Sequence, residues 1–223
     1  MRYLLLVLGA IALAVYIPEK IRGYTLKAVF KKSIVSVLFV AVAAAAGSSA
    51  PLAPFVIVGL TFGLLGDIWL DLKYVFPLHD ELLTYAGFSV FGIGHILYIT
   101  GLIRQYGTGR FLVLSFVLAA IAAGMVAAME RPMKLVYGRM RKAVILYGFA
   151  LFSTVFVSGN LLLSAGGMAL RLFFTGSVMF AVSDLILSGT YFGTGKDRPA
   201  DIIANYLFYY GGQFLIAYSL MFV

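Results

Sequence analysis

Two aspartates stand where an ionisable side chain is expensive. Asp67 lies in Leu64-Leu65-Gly66-Asp67-Ile68-Trp69-Leu70, and Asp184 in Phe180-Ala181-Val182-Ser183-Asp184-Leu185-Ile186-Leu187. Both runs are apolar, and an Asp at the centre of a membrane helix costs about 2.5–3.5 kcal/mol on insertion scales. Such a residue faces a bundle interior or a wet cavity. It acts there as a polar staple between helices or as a group that moves protons. A pair of buried carboxylates can divide acid and base work between them, or relay a proton. The remaining acids look ordinary: Glu19, Asp80, Glu81, Glu130, Asp197 and Asp201 fall in loops or at helix ends. Asp71 is placed at the cytosolic end of its helix, near water.

The surroundings of the two aspartates match. Gly66-Asp67-Ile68-Trp69-Leu70 resembles Ser183-Asp184-Leu185-Ile186-Leu187, and Gly92-Ile93-Gly94-His95-Ile96-Leu97-Tyr98 resembles Tyr210-Gly211-Gly212-Gln213-Phe214-Leu215-Ile216. Asp67 to His95 is 28 residues and Asp184 to Gln213 is 29. The halves, about 1–105 and 106–223, thus read as a weak duplication, with chance similarity in apolar sequence as the alternative. Four helices per unit makes the repeats parallel, related by an axis along the membrane normal, so that both aspartates approach the axis at one depth. Gly59, Gly63 and Gly66 share a helical stripe with Asp67, where a second backbone can come close. Tyr206, Tyr209, Tyr210, Gln213 and Ala217 form another stripe, whose hydroxyls need partners in lipid; the Asp carboxylates are the obvious ones. His95 is an intramembrane histidine, either a hydrogen-bonded packing residue or a site group. A zinc site of His95, Asp67 and Asp184 is a thin ligand set without the usual spacing, and no metal is assigned.

These residues need spanning helices to hold them. Hydrophobic residues make up 62% of the 223 and charged residues 12%, with a mean hydropathy of +1.01. A soluble domain of this size could not hide so much apolar surface. Eight continuous apolar runs, about 3–17, 28–46, 52–72, 82–103, 110–128, 143–160, 170–191 and 202–222, predict an all-α membrane protein of about eight transmembrane helices in a single polytopic domain. Breaks are expected at Pro18-Glu19-Lys20, Gly47 to Pro51, Pro77 to Glu81, Gly107 to Gly109, Arg131 to Lys142, Gly166-Gly167 and Gly193 to Pro199. The first run also has the look of a signal peptide, with retention as a short helix the favoured reading because it completes the repeat. Thirteen of the 17 basic residues, Lys20, Lys32 and Lys73 among them, fall in the loops after helices 1, 3, 5 and 7. The positive-inside rule puts those loops in the cytoplasm and both termini outside. The net charge of +8 is thus a topology signal, with no interleaved aromatics of a nucleic-acid site. With no cysteine, thiolate chemistry, iron–sulfur clusters and disulfides are excluded.

The run Thr61 to Leu70, then Phe88 to Ile99, then Val178 to Leu187, then Tyr209 to Ile216, resembles the YhhN-like lysoplasmalogenase family. The family's G-D, F-x-x-x-H-x-x-Y, S-D and Y-x-x-x-Q elements fall on Gly66/Asp67, Phe91/His95/Tyr98, Ser183/Asp184 and Tyr209/Gln213. The resemblance implies hydrolysis of the vinyl ether of a lysophospholipid substrate, without a cofactor, in a membrane such as the bacterial cytoplasmic membrane. Products would be a fatty aldehyde and a glycerophospho-head-group. Asp67 and Asp184 would be the catalytic pair, with His95, Tyr98, Ser183, Tyr209 and Gln213 positioning substrate or water. The chemistry is feasible for two carboxylates, since protonating a vinyl ether carbon needs an acid, and adding water to the resulting cation needs a base. The alternative is a lipid or small-molecule transporter or binding protein that uses the Asp pair as a proton relay.

Overall fold

A computed structural model describes residues 2–23, 25–193 and 198–223. Eight α-helices account for nearly all of them: α1 Arg2–Arg22, α2 Leu26–Ala45, α3 Leu52–Val75, α4 Asp80–Tyr106, α5 Leu112–Ala128, α6 Arg141–Ala165, α7 Met168–Phe192 and α8 Pro199–Ser219. Each predicted span carries a helix, because only a helix satisfies the backbone of a lone apolar run within itself. Six of them, α1 to α4, α6 and α7, are long and apolar enough to cross a bilayer. At 17 residues α5 is shorter than the ~20 of a full crossing, and α8 is diluted by its tyrosine stripe. Exposed Val113, Leu146 and Leu163 on the outer faces, against buried Phe39, Leu60, Phe173 and Ile216 inside, complete the pattern of an all-α membrane protein.

Two expectations need correction. The break at Pro18-Glu19-Lys20 is absent, and α1 runs through Pro18 to Arg22. Proline removes one helical hydrogen bond, but the turn beyond it is anchored. Glu19 pairs with Lys31 at 2.6 Å and Lys20 with Asp71 at 2.8 Å. Secondly, Lys20, Lys32, Lys73 and Asp71 are not solvated residues at span ends; all four are buried. Lys20, Lys32 and Asp71 are paired with opposite charge, which can be buried where a lone charge cannot, and the Lys73 ammonium lies over the Tyr191 ring at 3.4 Å. Residues 194–197, within the expected break at Gly193 to Pro199, lie outside the described residues.

The two halves pack alike. Neighbours in sequence pack in both, α1 to α2 to α3 to α4 and α5 to α6 to α7 to α8. Across the halves, α4 packs on α6 and α8 on α2, so each fourth helix meets the other half's second. The tightest helix contacts also repeat. A Cβ at Gly94 would lie 3.0 Å from the Gly59 carbonyl oxygen, and one at Gly212 only 2.6 Å from that of Gly176. Gly59 precedes Asp67 by eight residues, as Gly176 precedes Asp184; Gly94 directly precedes His95, as Gly212 precedes Gln213. Backbone contact at these glycines fixes the depth of α3 on α4 and of α7 on α8.

Candidate active site

Asp67 projects from α3 into a ring of donors from two other helices, α2 and α8. Ser36 of α2 donates to Oδ2 at 2.6 Å, and the Tyr209 hydroxyl of α8 donates to the same oxygen at 2.8 Å. The Lys32 ammonium lies 3.2 Å from Oδ1. Gln213, one turn along α8, donates its amide to the Tyr209 oxygen at 3.2 Å, which leaves the hydroxyl proton aimed at the carboxylate. One turn along α3, Asp71 accepts from Lys20 at 2.8 Å, Lys32 at 3.3 Å and Tyr16 at 3.2 Å. Lys32 therefore bridges two carboxylates, and α1, α2, α3 and α8 are tied by one buried network. The tyrosine stripe finds the partners its hydroxyls need, with Tyr210 sharing a 3.2 Å bond with Ser36.

Asp184 is held differently. The hydroxyl of Tyr147 on α6 donates to Oδ2, and Ser183 makes a longer 3.4 Å contact to Oδ1. The stronger bond of Ser183 goes to the Phe180 carbonyl at 2.8 Å, while Asn205 of α8 donates to the Ser183 carbonyl at 2.7 Å. Ser183 thus serves to seat α7 against α8 as much as to touch the acid. Tyr147 is the seventh residue of α6 and Lys32 the seventh of α2. Each reaches the aspartate of the next helix, with a tyrosine hydroxyl at Asp184 and an ammonium at Asp67.

Both aspartates line a single cavity of about 30 Å³, with Lys32, Tyr147, Ser183 and Tyr209 on its polar wall and Leu70, Phe88 and Phe91 closing it. One water takes ~10–15 Å³ on this measure, so the space suits about two. Asp184 borders a second apolar cavity of about 60 Å³ between α4, α5, α6 and α7. Asp67 is 2% exposed, whereas Asp184 is half-buried.

His95 and Tyr98 stand apart from this cavity. His95 Nδ1 is 3.1 Å from the Thr154 hydroxyl, and its ring meets Phe180 edge-on at 5.0 Å. Phe180 in turn meets Tyr209 at 5.2 Å, so an aromatic layer separates the imidazole from Asp67. His95 Nε2 and Gln213 Oε1 have no hydrogen-bond partner among the described residues. Tyr98 lies over Gly59 and edge-on to Phe173 at 5.7 Å, a packing position. No three His, Asp or Glu among the described residues are grouped to hold a metal ion. The sequence reading missed Lys20, Lys32, Ser36, Asp71 and Tyr147. A signal existed for α2, where Lys32, Val35, Ser36 and Phe39 follow helical spacing on one face. For Tyr147 the only sign was its place in α6 matching that of Lys32 in α2.

No curated protein and no solved structure matches the chain. A family model does match, over residues 26–220, from the start of α2 to the end of α8. That stretch holds both aspartates of the cavity together with Lys32, Tyr147, Ser183 and Tyr209, and the match over nearly the whole chain shows that the chain belongs to the YhhN family.

Proposed function

We propose that this protein is a membrane hydrolase that cleaves the vinyl ether of lysoplasmalogens, with Asp184 as general acid and Asp67 as general base. The observation that carries the reading is the pair of carboxylates on one water-sized cavity with unlike partners. Asp67 has the set that an ionised carboxylate takes, one ammonium and two hydroxyl donors. Asp184 pairs with no ammonium within 4 Å among the described residues and meets a tyrosine hydroxyl. Unlike surroundings are how two carboxylates come to play opposite roles.

In this reading Asp184 gives its proton to the vinyl carbon remote from oxygen, which leaves an oxocarbenium ion. The ionised Asp67 stabilises that cation and takes a proton from a water in the cavity as the water adds. The hemiacetal then breaks its carbon–oxygen bond, its hydroxyl proton passing to the leaving oxygen, to give the aldehyde and the glycerol hydroxyl, and the proton held by Asp67 returns to Asp184 across the cavity. Tyr147 holds Asp184 in place, and Tyr209, oriented by Gln213, holds Asp67. The test is purified protein with a lysoplasmalogen in D₂O, with the aldehyde trapped at once by reduction. One deuterium at the carbon next to the former carbonyl is expected, beyond that of the trap. Binding without any aldehyde would mean that the fold carries lipid and does not cleave it.

A further inference from the structure

The symmetry of packing is broken at one seam. α1 lies against both α2 and α8, and its fully buried Tyr16 closes that seam edge-on to Tyr206 at 5.0 Å. Its counterpart α5 packs on α6 and, among the described residues, makes at most marginal contact with α4. The α4–α6 seam is consequently open as a lateral groove of about 850 Å³. That is within the ~300–1,000 Å³ of small-molecule sites.

The groove is a trough with a charged end. From Tyr85 to Thr100 its α4 wall runs about 22 Å at 1.5 Å per residue. One leaflet contributes about 15 Å, half of a ~30 Å hydrocarbon core. Ile93, Ile96 and Phe149 make its apolar lining, and Arg139 and Lys142 its polar end. The Tyr85 hydroxyl donates to the Arg139 carbonyl at 2.8 Å and fastens that end to α4, and Glu81 lies 3.9 Å from the Arg139 guanidinium. Ser153, on the wall and only 1% exposed, has a hydroxyl with no hydrogen-bond partner among the described residues. Phe88 and Tyr147 are common to the groove and the carboxylate cavity, their rings parallel with centroids 5.3 Å apart. Tyr147 is five residues, about 7 Å along the axis, from Lys142.

We propose that this groove binds a single-chain zwitterionic phospholipid entering sideways from the bilayer. The phosphate sits on Arg139 and Lys142, the ammonium at Glu81, and the chain lies along Ile93 and Ile96. The first bonds of the chain then meet the Phe88–Tyr147 pair, which is the partition in front of Asp184. Only that last step rests on the hydrolase reading; the lipid site stands without it.

The protein has no cysteine, so one can be placed at will. Ile96→Cys in the groove and Leu207→Cys on α8, both exposed in this structure, each carry an environment-sensitive fluorophore. The probe lipid is a saturated 1-O-alkyl lysophosphoethanolamine, which has no vinyl bond to cleave. A saturable shift is expected at position 96 and none at 207. Arg139→Glu with Lys142→Glu, or Ile93→Trp, should weaken it at least ~10-fold. Equal responses at 96 and 207, or an equal response to a diacyl phosphoethanolamine, would reduce the groove to ordinary lipid contact and overturn the proposal. Normal aldehyde release in both groove variants would overturn the last step, the delivery of the chain to the Phe88–Tyr147 pair. Saturable binding without aldehyde release leaves the lipid site standing and removes the hydrolase reading.

Discussion

At the residue scale, the two aspartates are distinguished by what they touch. Asp67 is locked by Lys32, Ser36 and Tyr209, and Asp184 by Tyr147 beside a partly open face. Asp→Asn keeps the shape and removes the exchangeable proton. Acid–base groups contribute ~10²–10⁴-fold each, so Asp67→Asn and Asp184→Asn should each lose at least ~100-fold in turnover. The double variant should be little worse than either single one, since residues acting as a unit are not additive. Exposed Asp80→Asn on the first turn of α4 is the control. Near-normal turnover in both buried variants would make the carboxylates packing staples. Asp71, placed near water by the sequence, is buried and calls for a test of its own. It is the 2.8 Å partner of buried Lys20 and shares Lys32 with Asp67. Removing one member of a buried ion pair costs about 3–5 kcal/mol. Asp71→Asn should therefore lower thermal stability in detergent markedly, with a smaller loss of turnover per folded molecule than Asp67→Asn. An unchanged melting temperature would show that Lys20 does not depend on Asp71.

At the element scale, the glycine contacts set the register that brings the aspartates to one cavity. A Cβ at Gly176 would lie 2.7 Å from the Gly212 carbonyl oxygen and 3.1 Å from the Ile216 amide, both backbone atoms with little freedom to move away. Gly176→Ala should destabilise by about 1–3 kcal/mol, as overpacking does. It should also lower turnover, because Asp184 sits two turns along the displaced helix. Gly124→Ala on α5, where a new Cβ meets nothing within 4 Å, should change neither. Equal melting temperatures for the two would show that α7 and α8 are not held at this point. Helix positions were legible because an apolar run in lipid has only one way to satisfy its backbone. Asp67 and Asp184 were legible because a carboxylate there is costly, and the glycines because small residues mark close helices. Lys20 and Lys32 were not. A lysine near a span end is usually a topology signal, and only its partner in space says otherwise. Tyr147 was invisible for a similar reason, since a tyrosine in a membrane helix is unremarkable until Asp184 is seen beside it.

At the scale of the whole molecule, orientation decides which leaflet the groove and the carboxylates face. Thirteen basic residues were assigned to one side, but Lys20, Lys32 and Lys73 are buried and do not report on topology. Removing these three leaves ten against Arg2, Arg104, Arg110 and Arg171, so the asymmetry keeps its sign. The α5–α6 connection and the first turn of α6, with Arg131, Lys134, Arg139, Arg141 and Lys142 exposed, carry half of the ten and form the mouth of the groove. This mouth should lie on the cytoplasmic side, which would draw substrate from the cytoplasmic leaflet. The turn between α4 and α5 belongs to the opposite face. Without native cysteines the test is direct: Val136→Cys and Thr108→Cys, both exposed, each offer one thiol. A membrane-impermeant thiol reagent added to intact cells should label position 108 at once, and position 136 only after permeabilisation. Of the four outward charges only Arg110 lies in a connection, that of α4–α5, so this pair samples both faces where the contrast in charge is large. The reverse pattern would turn the molecule over and move the proposed lipid entrance to the outer leaflet.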